Sequence, residues 1–125
     1  MTELKYTADH EWIRTDGNVL TIGITAYAAD KLGEIVFAEL PTAGQTVEAG
    51  KVVAEVESTK SVGEVFAPVS GTVTEVNDDV VDNPDFINDS PLEKGWLFKV
   101  EVADPAVLDG EGFLTLDAYN SLIGE

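Results

Sequence analysis

The stretch "VVAEVESTKSVGEVFAPVSG", residues 52–71, gives the clearest indication of architecture in the chain. Apolar and acidic residues alternate on either side of Ser58-Thr59-Lys60-Ser61, and valine, a β-branched residue that suits strands, dominates both halves. The pattern predicts two strands joined by a link of hairpin length, with Lys60 exposed at or near its tip. Lys60 is the only basic residue between Val52 and Glu93, so the hairpin presents a single amine.

Further strands are predicted on both sides of this hairpin. "EWIR" and "NVLTIGI" flank Asp16-Gly17, a dipeptide typical of hairpin turns. "EIVFAEL", "GTVTEV" and "WLFKVEV" are short apolar runs bounded by turn residues. The segment at residues 77–95 is rich in Asn, Asp, Pro and Ser, and we expect it to be a loop throughout.

Helices are predicted at three places. Thr25 is a suitable N-cap for "AYAADKL", which Gly33 would end by adopting a left-handed backbone. Asp104-Pro105 is predicted to start a helical turn, with Pro at its favoured first position. Thr115 is predicted to cap a C-terminal helix whose apolar face consists of Leu116, Tyr119, Leu122 and Ile123.

A weak internal repeat relates the two halves of the chain. "GEIVFAEL…GQTVEAGKVVAEVE" parallels "GTVTEVNDDVV…LEKGWLFKVEV", and in each half a second glycine, Gly50 or Gly95, precedes the next strand. Two related sets of strands on either side of one hairpin predict a quasi-twofold β-sandwich or flattened barrel. The "ESTKS" tip would lie at the junction of the halves.

The composition restricts the possible chemistry. A chain of 125 residues suits one compact domain. It contains no cysteine, which excludes disulfides, thiolate metal sites and cysteine nucleophiles. His10 is the sole histidine, which argues against an all-protein zinc site, and we expect it to be a packed structural residue.

The charge excludes two classes of partner. The formal net charge is −17, and phosphate backbones and anionic membranes repel such a surface. No stretch approaches the ~18 apolar residues of a membrane span. The N-terminal "MTELKYTADHEW" lacks both the apolar core of a signal peptide and the Arg-rich composition of a transit peptide. We therefore expect a cytoplasmic protein that binds neither nucleic acid nor membrane.

The surroundings of Lys60 favour modification over catalysis. A Schiff-base lysine needs a lowered pKa, whereas Glu57 and Glu64 nearby favour the charged amine. A phosphate-binding lysine needs a glycine-rich loop and a following helix, and neither is present. An exposed amine on a rigid hairpin is instead accessible to a modifying enzyme, which Glu57 and Glu64 are candidates to guide. A solvated turn lysine without function is the alternative.

Short motifs in a fixed order extend along almost the whole chain. They are "HEW" at 10–12, "TIGIT" at 21–25, "LGEIVFAELP" at 32–41, "VESTKS" at 56–61, "APVSG" at 67–71, "EVN" at 75–77, "IN" at 87–88 and "GW" at 95–96. Together they resemble the H proteins of the glycine cleavage system. The resemblance implies a single lipoyl-carrier domain over residues 1–125. Its fold would be a mainly β hammerhead of two antiparallel sheets with quasi-twofold symmetry and short helices.

The same resemblance implies a cofactor and a site for it. Lys60 would carry lipoic acid in amide linkage, and the loaded arm would fold back onto the protein surface. Glu11 and Glu64 would hold the cationic amine of the cargo, with Ile24 and Leu32 as apolar walls. Glu64 stands where the family usually has Asp, and Lys31 stands where some members have a histidine near the arm.

The implied function is that of a carrier without turnover of its own. A pyridoxal-phosphate glycine decarboxylase (P protein) would load an aminomethyl group onto the arm. A tetrahydrofolate-dependent aminomethyltransferase (T protein) would unload it, and dihydrolipoyl dehydrogenase (L protein) would reoxidise the arm. A lipoate ligase or an octanoyl or lipoyl transferase would attach the cofactor to a monomeric protein.

Four alternatives share parts of this pattern. A biotin carrier has its lysine between methionines, but the only methionine here is Met1. A lipoyl domain of a 2-oxoacid dehydrogenase typically has "DKA" and flexible linkers, where this chain has "TKS", no such linker and a predicted C-terminal helix. An unmodified β-barrel binding module would show no mass change in cells that attach lipoate. A lipoyl relay that donates its cofactor to other proteins is compatible with glycine cleavage.

Overall fold

A computed structural model describes residues 4–103 and 113–124 of the chain. The strands are β1 (Leu4–Tyr6), β2 (Glu11–Asp16), β3 (Val19–Ile24), β4 (Ile35–Glu39), β5 (Thr46–Val47), β6 (Val52–Ser58), β7 (Val62–Phe66), β8 (Gly71–Val76) and β9 (Phe98–Glu101). The helices are α1 (Ala26–Leu32), α2 (Asp78–Asp82), α3 (Asp85–Asp89) and α4 (Leu116–Ile123). The described chain is therefore mainly β, with short helices.

The strands form two antiparallel sheets. The larger sheet has the order β1-β2-β3-β9-β8-β5 and the smaller has the order β4-β6-β7. Their inward residues form one apolar core, which includes Ile13, Ile22, Val56, Val65 and Phe98. This confirms the predicted mainly β fold of two antiparallel sheets with a C-terminal helix. Neither sheet closes on itself among the described strands, so the architecture is an open sandwich rather than a barrel.

The pairing of the strands agrees with the internal repeat. In the first half β4 pairs with β6, and in the second half β8 pairs with β9, both antiparallel. The turn between β6 and β7 follows the last strand of the first pair and precedes both strands of the second. The turn that carries Lys60 therefore lies at the junction of the two related halves, as the sequence predicts.

Both predicted helix caps are present. The Thr25 hydroxyl accepts the N–H of Ala28 at the start of α1, and Gly33 ends the helix with φ of 90°. The Thr115 hydroxyl caps α4 in the same way. Along α4, however, Tyr119 is buried whereas Leu116 and Leu122 are half exposed, so only part of the predicted apolar face is packed. The helical turn predicted at residues 104–105 lies outside the described residues.

The prediction of a loop throughout residues 77–95 is wrong, because the segment contains α2 and α3. The Asn77 side chain accepts the N–H of Asp79 and so caps α2. Val80 and Ile87 are completely buried and anchor the two helices on the core. Each helix is five residues long, so a single buried residue holds it and no helical periodicity is visible in the sequence.

The tryptophan of the "HEW" motif is packed where the motif glycine of "TIGIT" leaves room. Trp12 is completely buried, and a Cβ on Gly23 would lie 2.7 Å from its ring. The Trp12 indole N–H also donates to the carbonyl of Pro91 at 2.9 Å. The Trp12 ring therefore requires glycine at residue 23, because it occupies the space that a side chain there would fill.

Candidate functional site

Ser58 shapes the turn that presents Lys60. Its hydroxyl oxygen accepts the backbone N–H of Lys60 at 3.2 Å and that of Ser61 at 3.0 Å, and its own hydrogen is donated to the Ser61 carbonyl. The Ser58 N–H closes the turn to the same carbonyl at 2.8 Å. Ser58 is buried, whereas Lys60 is exposed. The serine therefore fixes the backbone of the tip while the lysine side chain projects from it.

The tip of the hairpin is fastened to the loop that follows α1. The Thr59 N–H donates to the carbonyl of Glu34 at 3.1 Å. The Lys60 side chain lies across Gly33, where an added Cβ would approach its Cε to 3.2 Å. With φ of 90°, Gly33 also has a backbone conformation that side-chain-bearing residues rarely adopt. Gly33 therefore supplies both the turn and the open surface over which the lysine stem runs.

Asn88 holds this loop in place from α3. Its Nδ2 donates to the Gly33 carbonyl at 2.8 Å, and its Oδ1 accepts the N–H of Ile35 at 2.9 Å. One amide side chain thus satisfies a donor and an acceptor on either side of Glu34. The "IN" motif has a structural explanation here, because Ile87 anchors the helix and Asn88 braces the surface beneath the lysine.

A cavity of about 210 Å³ lies beside the hairpin. Its lining comes from the β1–β2 turn, from β3 and α1, and from β6 and β7. The lining residues are Asp9, His10, Ile24, Ala28, Lys31, Leu32, Val56, Gly63, Glu64 and Val65. Gly63 and Glu64 belong to the strand that follows Lys60, and Leu32 directly precedes Gly33, so the lysine stem begins close to the cavity.

The apolar part of the cavity contains both predicted wall residues, Ile24 and Leu32. Gly63 contributes by having no side chain, since an added Cβ there would lie 3.1 Å from the Leu32 Cδ1. Val56 and Val65 complete the apolar surface from the core side. The space is therefore suited to a flexible hydrocarbon chain that enters from the lysine.

The charged residues that line the cavity are two acids and one lysine. Asp9 and Glu64 are the acidic residues of the lining. The Lys31 amine lies over the ring of Tyr27, with Nζ 5.3 Å from its centroid, in a cation–π contact. The lining therefore has two acidic residues against one lysine, which gives it an excess of negative charge.

Glu64 also belongs to a row of acids on the outer face of the smaller sheet. It is the cross-strand partner of Glu55, which in turn is the partner of Glu39. All three are exposed. The next row, nearer the tip, contains Glu57 between Phe37 and Val62, again all exposed. Both candidates for guiding a modifying enzyme, Glu57 and Glu64, are therefore accessible on the face next to Lys60.

Glu11, the other acid that the resemblance assigns to the cargo amine, is buried next to the cavity. It is only 1% exposed and does not line the cavity. One carboxylate oxygen accepts the N–H of Phe66 at 2.8 Å, and the other lies 3.2 Å from the hydroxyl of Thr7. Burial raises the pKa of Glu11 to about 8, and the nearby charge of Asp9 adds to the increase. Glu11 therefore links β2 to the end of β7 behind the cavity wall.

His10 lies at the cavity and is also packed, as expected for a structural residue. Its backbone has φ of 67°, the left-handed conformation that is uncommon for residues other than glycine. The ring contacts Tyr27 and Tyr119, at centroid distances of 5.1 and 5.7 Å. Sequence reasoning did not assign His10, Asp9 or Gly63 to the cavity. For His10 and Asp9, the sequence feature that could have indicated the cavity is their position in and beside the "HEW" motif.

Two other kinds of site are not found within the described ranges. There, no group of three or more His, Asp or Glu residues is arranged to hold a metal ion. No helix of those ranges combines the length and the apolar character needed to cross a membrane. The hairpin lysine and the neighbouring cavity form the candidate site.

The site thus consists of an exposed lysine on a braced hairpin and a cavity beside it that has acidic and apolar lining residues. The family model described as "Glycine cleavage H-protein" matches residues 4–125. The chain belongs to this family, whose members act as lipoyl carriers in the glycine cleavage system.

The relatives match along nearly their full length. A glycine cleavage system H protein of Clavibacter sepedonicus is 56% identical over 124 residues, which are 99% of this chain and 97% of that protein. The H protein of Staphylococcus haemolyticus (strain JCSC1435) is 48% identical with the same coverage. The crystal structure of an H protein from Mycobacterium marinum has a TM-score of 0.89 at 41% identity, covering 98% of both chains.

Proposed function

We propose that Lys60 carries lipoic acid in amide linkage and that the chain shuttles the aminomethyl group of glycine on this arm. The observation that carries the proposal is the exposed lysine on the Ser58-braced turn, with its stem over Gly33 and a cavity beside it. The lipoyl group would supply the sulfur chemistry that a chain without cysteine lacks. The protein's own residues bind and orient the arm.

The residues of the cavity fit an arm that ends in a cationic amine. Ile24 and Leu32 would contact the hydrocarbon part and exclude water from it. Asp9 and Glu64 would hold the amine through charge-assisted hydrogen bonds, which are about twice as strong as neutral ones. In this proposal Glu11 supports the wall from behind, because its carboxyl group is engaged by Phe66 and Thr7.

The partners are enzymes that act on the arm in turn. We propose visits to glycine decarboxylase, to the aminomethyltransferase and to dihydrolipoyl dehydrogenase, with attachment by a lipoate ligase or an octanoyl or lipoyl transferase. The modifying enzyme would contact Glu57 and Glu64, which are exposed next to the lysine. The chain would act as a monomer in the cytoplasm and would have no turnover of its own.

An intact-mass measurement tests the attachment. The wild type is incubated with a lipoate ligase, lipoate and ATP, beside Lys60→Ala and the matched control Lys51→Ala, which removes another exposed lysine. We expect one lipoyl-sized increment on the wild type and on Lys51→Ala, and none on Lys60→Ala. An increment that persists in Lys60→Ala, or an unmodified wild type with a ligase active on another carrier, would refute the proposal.

A further inference from the structure

The outer face of the smaller sheet carries exposed apolar side chains close to Lys60. Phe37 on β4 is 49% exposed, Val62 on β7 is 53% exposed, and Val36 beside Phe37 is also exposed. Among the aromatic residues that the structure describes, only Phe37 is exposed. Grouped apolar side chains on a surface are typical of an interaction site. These side chains are therefore available to a partner.

A shift in strand register explains why two consecutive apolar residues are exposed on β4. Successive residues of a regular strand face opposite sides of the sheet. The pairing of β4 with β6 shifts between Ile35 and Phe37, as at a β-bulge, and Val36 is the extra residue. Ile35 remains in the core, whereas Val36 and Phe37 are both directed away from it.

The register also places Phe37 and Val62 in the row nearest the hairpin tip. Glu57 is the cross-strand partner of both. It is the last exposed residue of β6 before the turn, and Val62 is the first exposed residue of β7 after it. Directly opposite side chains have Cβ atoms about 5 Å apart. Phe37, Glu57 and Val62 therefore form a continuous strip beside Lys60, which we call the anchor strip.

Acidic residues continue the same face behind the anchor strip. Glu39, Glu55 and Glu64 form the next row, and all three are exposed. The strands β4, β6 and β7 contain no basic residue that would neutralise them. An apolar centre with a polar border is the usual arrangement of a protein interface. The border is negative here, so the face is complementary to a basic surface.

The position of the anchor strip indicates which partner it fits, and this step rests on the proposed function. Enzymes that act on the loaded arm react at its far end. The enzyme that attaches the lipoyl group instead has to reach the Lys60 amine itself, so its surface has to cover the residues next to that lysine. We propose that Phe37 and Val62 are the apolar anchor on which the lipoate-attaching enzyme docks.

The chemistry of the partner surface follows from Glu57. This carboxylate lies between two apolar side chains, so it loses water when the strip is covered and then needs a charged partner. A guanidinium group fits this need best, because it binds a carboxylate through two parallel hydrogen bonds. The enzyme is therefore expected to present an apolar pocket for the Phe37 ring, an arginine beside the pocket and a basic rim.

The kinetics of lipoylation test the apolar anchor. The carrier concentration is varied with a lipoate ligase, lipoate and ATP, and the modified fraction is followed by intact mass. We expect Phe37→Ala to raise the KM for the carrier about 10- to 100-fold with kcat unchanged, because it removes binding rather than chemistry. Phe37→Leu keeps an apolar side chain and is expected to stay within about 3-fold of the wild type.

The two exposed valines of the smaller sheet provide a matched pair. Val62→Ala is expected to raise KM about 3- to 10-fold. Val52→Ala makes the same change at the other end of β6, about 20 Å along the strand from the turn, and should leave KM within about 2-fold. If Phe37→Ala is unfolded by tryptophan fluorescence, this pair decides alone.

Salt separates the anchor from the acids. Between about 0.05 and 0.5 M salt, the kcat/KM of the wild type should fall because the acidic border is screened. The triple variant Glu39→Gln, Glu55→Gln, Glu64→Gln should flatten this dependence, whereas Phe37→Ala should keep the wild-type slope. A slope that disappears in Phe37→Ala would contradict an apolar role for the ring.

The remaining outcomes overturn different statements. A folded Phe37→Ala with unchanged KM, or an equal increase in Val62→Ala and Val52→Ala, would refute the anchor strip while the modified wild type upholds the proposed function. A wild type that stays unmodified by a ligase active on another carrier would contradict the proposed function itself. Sedimentation of the unmodified protein is expected to show a monomer. A dimer that Phe37→Ala dissociates would assign the strip to a second copy of the chain instead.

Discussion

Replacing Glu11 by Gln should remove a pH dependence of stability that this buried acid creates. The amide has nearly the same shape as the protonated acid. Its oxygen can accept the Phe66 N–H, and its NH₂ group can donate to the Thr7 hydroxyl oxygen, which lies 3.2 Å from the Glu11 Oε1. The variant thus reproduces the neutral form of Glu11 at every pH, and the contacts that link β2 to β7 are expected to persist.

The magnitude follows from the pKa of Glu11, which burial raises from 4.5 to about 8. Because the folded value is the higher one, the folded state holds a proton that the unfolded state has released between these two pH values. The contribution of this proton to the free energy of unfolding is complete below the pKa of the unfolded state. It decreases by about 1.4 kcal/mol per pH unit until the pH has risen through the pKa of the folded state. Between about pH 5.5 and pH 8 the loss is roughly 3 kcal/mol.

The assay is urea denaturation followed by the fluorescence of Trp12 and Trp96 at several pH values. We expect the unfolding free energy of Glu11→Gln minus that of the wild type to increase by roughly 3 kcal/mol from about pH 5.5 to pH 8. Glu57→Gln removes one exposed charge and controls for the general effect of the acidic surface. A difference that is independent of pH, or that increases towards acid, would refute the reasoning about Glu11.

Asn88→Ala should destabilise the fold by about 2 kcal/mol in urea denaturation, because the Ile35 N–H loses its acceptor, while the exposed Asn83→Ala should change stability by less than about 0.5 kcal/mol. Equal effects of the two would contradict the bracing role. Gly33→Ala should slow the lipoylation of Lys60 several-fold in a ligase assay, since its Cβ would displace the lysine stem. Gly17 also has a positive φ, but no atom lies near an added Cβ, so Gly17→Ala should leave the lipoylation rate unchanged. An equal decrease in both variants would mean that backbone strain, and not contact with the lysine stem, slows the reaction. Lys31→Met should slow the spontaneous release of loaded cargo, because it removes a cation from the cavity lining; faster release would argue against electrostatic holding.

The sequence predicted those features that depend on neighbouring residues. Ser58 and Lys60 lie within one four-residue link, and the two strands around it have complementary alternation. Thr25 and Gly33 bound a helix through local capping chemistry. These elements were predicted from the residues and were confirmed, because their causes act over only a few positions.

The features that the sequence did not predict depend on contacts between distant segments. The hydroxyl of Tyr119 reaches the ring of His10, which lies 109 positions away in the chain, and no local pattern marks this contact. Glu11 and Asp9 are two residues apart, yet the first is buried behind the cavity wall and the second lines it. Which of the two acids faces the space depends on the direction of the chain at the β1–β2 turn, which composition does not indicate.

The acidic row of Glu39, Glu55 and Glu64 also affects how copies of the protein behave towards one another. It extends from β4 to β7, the two outer strands of the smaller sheet. Exposed outer strands are templates for intermolecular pairing, and charged side chains on them are a common protection against aggregation. Like charges directly opposite one another cost some stability within the sheet. In return, two molecules that approach with these faces repel each other, which favours a carrier that stays dispersed when it is abundant.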